Sequence, residues 1–204
     1  MRPAAWLAVV VLLAGGCGGT DAGPGSHFEP HSSRHRTVDL GPTKGVEGTE
    51  LALDVPAGWE VLDLADYRSG QMSAGTRRLA DRLHVDDRED MADLQVMAAP
   101  PRVPGSQFTP YLTVALARGE RGDRAVELFR TATAIGSTLD RQDTALGEAE
   151  VATGALPIGP LDVVAGMVLV ERGDEVVTAA YSDLDEDQVL AVLDLLVTTL
   201  ADRG

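Results

Sequence analysis

Alternating apolar and polar positions predict most of the strands of this chain. Leu51, Leu53 and Val55 alternate with polar or small residues, as in a strand with one buried face. A turn at 56–58 follows, and it delivers Trp59 as a predicted core residue. Similar alternation, or a short apolar run, predicts further strands at 94–98, 111–116, 137–144, 148–155, 161–171 and 175–182.

The last two of these strands are predicted to form a hairpin. The segment 161–170 is almost continuously apolar, which favours a central position in a sheet. Arg172-Gly173-Asp174 separates it from the apolar run that follows, and a tight turn there reverses the chain.

The region 63–92 is the hardest to interpret. Between 74 and 84, Leu79 and Leu83 recur on one helical face while arginines occupy the outer face, which predicts a helix. The rest of the region has no readable periodicity, so its structure is left open.

Two further helices have recognisable starts. Asp123 is the expected N-cap of a helix that buries Phe129. A final helix is predicted from about residue 184, where Asp183 and Glu186 have the spacing of a capping box. Its buried stripe consists of Val189, Val192, Leu193, Leu196 and Leu200.

The N-terminus has the three-part pattern of a secretory leader. Arg2 precedes an apolar run of about 11 residues, which is shorter than the roughly 20 needed to span a bilayer. Gly15 and Gly16 then precede Cys17, the single cysteine of the chain. This resembles a lipobox, although Ala14 stands where leucine is usual. We expect a signal peptide at 1–16 and lipid attachment at Cys17; a plain secretory signal or a short anchor helix is the alternative.

A flexible tether is predicted after the lipid, with residues 17–47 leading to one domain at 48–204. Gly, Ser, Pro and Thr dominate this stretch, and it has too little apolar surface to fold. His27, His31 and His35 have helical spacing, but Pro30 argues against a helix that would align them for a metal.

The charge balance narrows the classes of partner. The chain has 32 acidic and 17 basic residues and a net charge of −15. A nucleic-acid-binding protein needs a positive surface, so we expect no nucleic acid partner. Anionic lipid headgroups would also repel the domain, which leaves acyl chains on Cys17 as the expected membrane contact. The composition, with a single lysine, Lys44, is typical of a GC-rich actinobacterial genome.

No catalytic or cofactor motif is legible. The chain lacks a Gly-x-Ser-x-Gly elbow, a phosphate-binding loop and a His-Glu-x-x-His helix. The acids at 86–93 lack the spacing of a calcium loop. Asp183, Asp185 and Asp187 imitate the start of one, but Gln188 occupies the position that requires glycine. We therefore expect no enzyme, no cofactor and no metal.

The order of these motifs resembles a known family. The segments that carry the resemblance are the Val55-Pro-Ala-Gly-Trp59 turn, the Phe108-Thr-Pro-Tyr-Leu-Thr-Val114 strand and the Ala145-Leu-Gly-Glu-Ala149 step. Together with the leader, they are similar to the LpqN-type lipoproteins of actinobacteria, which have a Mog1/PsbP-like fold. Family members usually have asparagine where Tyr111 stands. The resemblance implies an α+β fold, with an antiparallel sheet flanked by helices and a closing C-terminal helix.

Three functions are compatible with the sequence. The favoured one is a non-enzymatic lipoprotein on the outer face of the cytoplasmic membrane that binds a protein or cell-envelope component. It predicts an exposed apolar or aromatic patch, for which Tyr67, Phe108 and Tyr111 are candidates.

The two alternatives predict different features. A carrier of an apolar small molecule or lipid would have an enclosed cavity lined by Val163, Met167 and Leu169. An envelope hydrolase would place His84 within hydrogen-bond reach of a serine or a carboxylate.

Overall fold

The computed structural model describes residues 38–83, 85, 92–106, 108–133, 138–158 and 161–204. Its helices are α1 (Leu64–Ser69), α2 (Ala74–Arg82), α3 (Glu120–Thr133) and α4 (Glu186–Thr199). Its strands are β1 (Thr43–Glu47), β2 (Leu51–Pro56), β3 (Glu60–Val61), β4 (Leu94–Ala99), β5 (Tyr111–Arg118), β6 (Thr138–Thr144), β7 (Gly147–Ile158), β8 (Leu161–Arg172), β9 (Glu175–Asp183) and β10 (Ala201–Asp202).

The strands form two antiparallel sheets. The larger has seven strands in the order β3-β4-β5-β9-β8-β7-β6, and the smaller has the order β1-β2-β10. The centre of the large sheet is held by long pairings, such as that of β5 with β9 from Tyr111↔Ser182 to Arg118↔Glu175. The fold is therefore α+β, with an antiparallel sheet flanked by helices and a closing C-terminal helix.

The predicted hairpin between β8 and β9 is confirmed. Arg172 pairs with Glu175, so the loop is Gly173-Asp174, and Gly173 has a φ of +65°. Glycine adopts this left-handed backbone without the steric cost that a side chain would add.

One face of the large sheet is covered by α4 and by β2. Alternate residues of β8, such as Val168 and Val170, join the predicted stripe of α4 and Leu53 of β2 in one continuous core. Gly166 of β8 allows α4 to approach closely, because a Cβ there would lie 2.5 Å from Leu193 Cδ1.

The opposite face carries two separate clusters. One lies under α1 and α2 and includes Tyr67, Leu79 and Met97. The other lies under α3, where the fully buried Phe129 packs with Leu169. Neighbouring residues of a strand point to opposite faces, so Val168 and Leu169 belong to different cores.

Ordered structure begins earlier than the sequence predicts. β1 lies within the segment 17–47 that was expected to be a tether, and it pairs with β2 along its whole length. The apolar pattern misses β1 because it is an edge strand on which only Val46 packs against the core. Lys44 Nζ also donates a hydrogen bond to the carbonyl oxygen of Trp59, at 2.5 Å.

Two predicted helix starts are wrong. α3 begins at Glu120, so Asp123 lies inside the helix. Gly122 is buried in its first turn, where an added Cβ would lie 3.1 Å from Val176 Cγ2, so glycine allows the close approach of α3 to β9. The N-cap of α4 is Asp185, which accepts from the backbone N–H of Asp187. Asp183 instead bonds to Tyr181 and to the loop backbone.

No helix in the described ranges is long and apolar enough to cross a membrane.

Candidate functional site

A groove of about 1000 Å³ opens at the end of the large sheet where β4 and β9 finish and β5 begins. Three segments line it: α2, the 100–110 segment that leads into β5, and the 181–188 segment that leads from β9 into α4. Glu60 of β3 also contributes. The groove is open to solvent and its lining is mixed, with polar and apolar side chains.

Tyr181 forms the floor of the groove and is held there by contacts with the core. Tyr181 is only 1% exposed, and its ring stacks on Trp59 with a centroid separation of 5.3 Å. Its hydroxyl donates a 2.6 Å hydrogen bond to Asp183 Oδ2. Burial, and then this hydrogen bond to a carboxylate, raise the pKa of the Tyr181 phenol. The predicted core position of Trp59 is confirmed by its 5% exposure.

Arg82 fixes the α2 wall. Its Nη1 lies 2.5 Å from Glu60 Oε2, and its Nη2 donates to the carbonyl oxygen of Pro100 at 3.3 Å. The side chain is only 15% exposed, so it is not on the outer face of the helix as predicted. The ion pair joins α2 to β3, and the hydrogen bond joins α2 to the residue that follows β4. Arg82 therefore connects α2 to the start of the 100–110 segment.

The most exposed large apolar side chains of the described residues are Val103 (65%), Leu139 (51%) and Leu184 (47%). Val103 and Leu184 line the groove from different segments, whereas Leu139 lies on the edge strand β6. The sequence singled out neither Val103 nor Leu184, because each is an isolated apolar residue in a loop and belongs to no periodic pattern.

The three residues proposed for a binding patch lie in different environments. Phe108 is half-buried and lines the groove. Tyr111 packs against the α1–α2 cluster, and burial raises the pKa of its phenol. Tyr67 is 3% exposed and donates to the carbonyl oxygen of Val85, so it belongs to the core and not to an exposed patch. Cys17 lies outside the described residues.

The residues suggested for the alternatives are also placed differently from expectation, or not described. Leu169 and Met167 pack with Phe129 under α3, in a core cluster. Val163 is fully buried. His84 lies outside the described residues, as do the histidines of the tether and the acids at 86–90.

Asp93 is the described member of the acidic cluster. It forms a 3.0 Å ion pair with Arg121 Nη2, and burial raises the pKa of its carboxyl group. Across the described ranges, no group of three or more His, Cys, Asp or Glu residues is arranged to hold a metal ion.

Comparison with known sequences gives no family. No protein-family model matches the chain, and no curated protein does.

Comparison with solved structures gives low overall similarity. LpqN of Mycobacterium tuberculosis, described as involved in cell envelope biogenesis, is 9% identical with a TM-score of 0.47, over 80% of this chain and 93% of that one. PsbP of Synechocystis is 11% identical with a TM-score of 0.44, over 76% and 88%. A protein of Bacteroides thetaiotaomicron is 10% identical with a TM-score of 0.44; 81% of this chain matches, but it spans only half (50%) of that protein.

Two of these structures are of the LpqN and PsbP types that the sequence resemblance named. Family membership and an actinobacterial source stay predictions.

Proposed function

We propose that this protein is an LpqN-type lipoprotein, anchored by acyl chains on Cys17 outside the cytoplasmic membrane, that binds a protein or envelope component in the groove. The observation that carries the proposal is the pair of exposed apolar side chains, Val103 and Leu184, in one concave site. Single exposed apolar residues scattered over a surface are normal, but these two share one concave site with a polar rim, which is the arrangement of a binding site.

The polar groups of the groove support binding in preference to catalysis. Arg82 is engaged by Glu60 and by the Pro100 carbonyl, and Asp183 is engaged by Tyr181 and by backbone N–H groups. These contacts fix the shape of the groove. Among the lining residues that the structure describes, none is a histidine or a cysteine, which are frequent bases and nucleophiles.

The anchor is tested first. In the native cells, the Cys17→Ser variant should leave the membrane fraction, because it removes the thiol that carries the lipid. The intact mass of the wild-type protein should show acylation at the new N-terminus. Mature wild-type protein that starts at another residue, or that lacks the acyl group, would contradict the anchor.

The binding site is tested by photo-crosslinking in the same cells. A photoreactive amino acid at position 103 or 184 should give a discrete crosslinked product. The matched control is the same amino acid at position 139, which is similarly exposed but lies on β6. Equal products at 103, 184 and 139, or products at 139 alone, would contradict a role for the groove.

A further inference from the structure

The charges around the groove are sorted between its walls. Among the described lining residues, the α2 and 100–110 walls contribute Arg78, Arg82 and Arg102, against Asp81 of α2 and Glu60 of the neighbouring strand β3. The 181–188 wall contributes Asp183 and Asp185 and no cation. One side of the groove therefore has an excess of positive charge, while the other is negative.

Two of the arginines are available to a partner. Arg82 and Glu60 pair with each other, whereas Arg78 and Arg102 are exposed and make no ion pair or hydrogen bond within the part of the chain that the structure describes. In a chain with a net charge of −15, these free cations on one wall make a local site for an anion. Asp81, on the same wall, reduces that excess but does not cancel it.

The two exposed apolar side chains of the groove come from opposite walls. Val103 belongs to the wall that carries Arg102, and Leu184 lies between Asp183 and Asp185 on the opposite wall. A complementary ligand thus needs an anionic group, an apolar middle and a cationic group in that order.

A polypeptide segment fits this order better than other envelope polymers do. Sugars usually bind against exposed aromatic faces, but Tyr181 is only 1% exposed and is stacked on Trp59, and Phe108, the other aromatic residue of the described lining, is half-buried. Lipid acyl chains need an enclosed apolar space, and this groove is open and partly polar. The 100–110 wall contains Pro100, Pro101 and Pro110. These prolines restrict the backbone of the wall, so less conformational entropy is lost when a ligand binds.

We propose that the groove binds an extended polypeptide segment in which an acidic side chain faces Arg78 and Arg102, a basic side chain faces Asp183 and Asp185, and apolar side chains between them contact Val103 and Leu184. This inference rests on the proposed function, because it names the class of partner that the groove takes.

The probe for this proposal is a random peptide library displayed on phage and selected on the immobilised full chain. We expect enrichment of sequences with an acidic residue, apolar residues and a basic residue in that order. One enriched peptide is then labelled with a fluorophore, and its Kd is measured by anisotropy.

Charge reversal tests the orientation of the peptide. The double variant Arg78→Glu/Arg102→Glu should weaken this peptide by about tenfold or more, since like charges then face each other. A peptide with lysine in place of its acidic residue should recover affinity for the double variant and lose it for the wild type. This rescue separates a direct contact from a general loss of folding.

A matched pair of leucine variants tests the apolar contact. Leu184→Ser should weaken the peptide by about tenfold, whereas Leu139→Ser should leave the Kd unchanged. Urea midpoints of both variants serve as the folding control.

Three outcomes would overturn the inference: no enrichment over an unrelated acidic protein, a Kd that is insensitive to both the charge reversal and Leu184→Ser, or saturable binding of phosphatidylethanolamine vesicles that displaces the peptide. If crosslinks at position 103 persist in cells while peptide selection fails, the proposed function survives without this inference. If Cys17 is not acylated but peptides bind as described, the anchor alone fails.

Discussion

The two faces of the large sheet are covered in different ways. On one face, α4 and the small sheet bury a single continuous core that includes residues from β2, β4, β5, β7, β8 and β9. On the other face, α1 and α2 cover one cluster and α3 covers another. The first arrangement joins distant parts of the chain, whereas the second leaves two packing units side by side.

The groove lies where these parts meet. Its lining includes Leu79 of the α1–α2 cluster and Tyr181 of the continuous core. Because Tyr181 and Trp59 are held in that core, the floor is fixed, while the walls belong to loops and to the shorter helix α2. The lining of the groove can therefore vary in sequence without loss of the main core.

The largest expected effect tests whether the smaller α3 cluster matters to global stability. Phe129→Ala should lower the free energy of unfolding by about 3–5 kcal/mol, because Phe129 is fully buried and the cavity cannot be filled from a small cluster. Urea denaturation measures this loss of stability. The control is Leu128→Ala on the same helix, because Leu128 is only half-buried. A loss below about 1 kcal/mol would mean that α3 packs independently of the rest.

A smaller effect tests the close approach of α4 on the continuous face. Gly166→Ala places a Cβ 2.5 Å from Leu193 Cδ1 and 2.7 Å from Val189 Cγ1, so packed side chains must move. We expect a loss of about 1–3 kcal/mol in urea denaturation. Gly45→Ala on β1 is the control, since its nearest contact would be 3.7 Å away. Equal stability of the two variants would show that α4 can shift without cost.

A third variant tests how much the hydroxyl of Tyr181, at the floor of the groove, contributes to stability. Tyr181→Phe removes the hydrogen bond to Asp183 but keeps the ring on Trp59, so the expected loss is about 1 kcal/mol. The near-ultraviolet circular dichroism should keep its wild-type shape. A changed spectrum would show that the hydroxyl, and not ring packing, positions this pair.

The smallest expected effect concerns a surface network that links the two sheets. Arg118 of β5 contacts Glu50 Oε2, next to β2, at 2.5 Å and Glu175 Oε1 of β9 at 2.6 Å. The hydrogen bond from Arg118 lowers the pKa of Glu50 below its usual value. A lowered folded pKa gives stability that is complete above the unfolded pKa and is lost as pH falls through the folded one.

Arg118→Met should therefore lower the urea midpoint more at neutral pH than at about pH 3, because the charge of Glu50 is lost as the pH falls through its lowered folded pKa. Added salt should reduce the difference in urea midpoint between Arg118→Met and the wild type at neutral pH. If Arg118→Met lowered the urea midpoint equally at both pH values, Arg118 would contribute through packing and not through its charge.

The sequence predicted the parts of the fold that repeat a pattern. β2, β4, β5 and the strands β7 to β9 carry alternating or continuous apolar residues, and α4 has a full buried stripe. Two-residue strands such as β3 and β10 have no pattern of their own, since they are defined only by the strand they pair with.

The groove could not be predicted from the sequence, for a related reason. Its lining comes from four separated parts of the chain, and no spacing connects Arg82 with Pro100 or with Leu184. Phe108 was singled out for its aromatic ring, and it does line the groove. Tyr67 was misjudged as exposed, although Leu64 and Tyr67 have the i, i+3 spacing of a buried helical face.

The edges of the sheets have a consequence for self-association. At the edges of the sheets, β3 and β10 are only two residues long, β1 carries Lys44 and Glu47, and β6 carries Asp140, Arg141 and Asp143. An open edge is a template on which a second molecule can add a strand, and short or charged edges oppose such growth. Even at high protein concentration, copies of this domain should resist intermolecular β-pairing and aggregation.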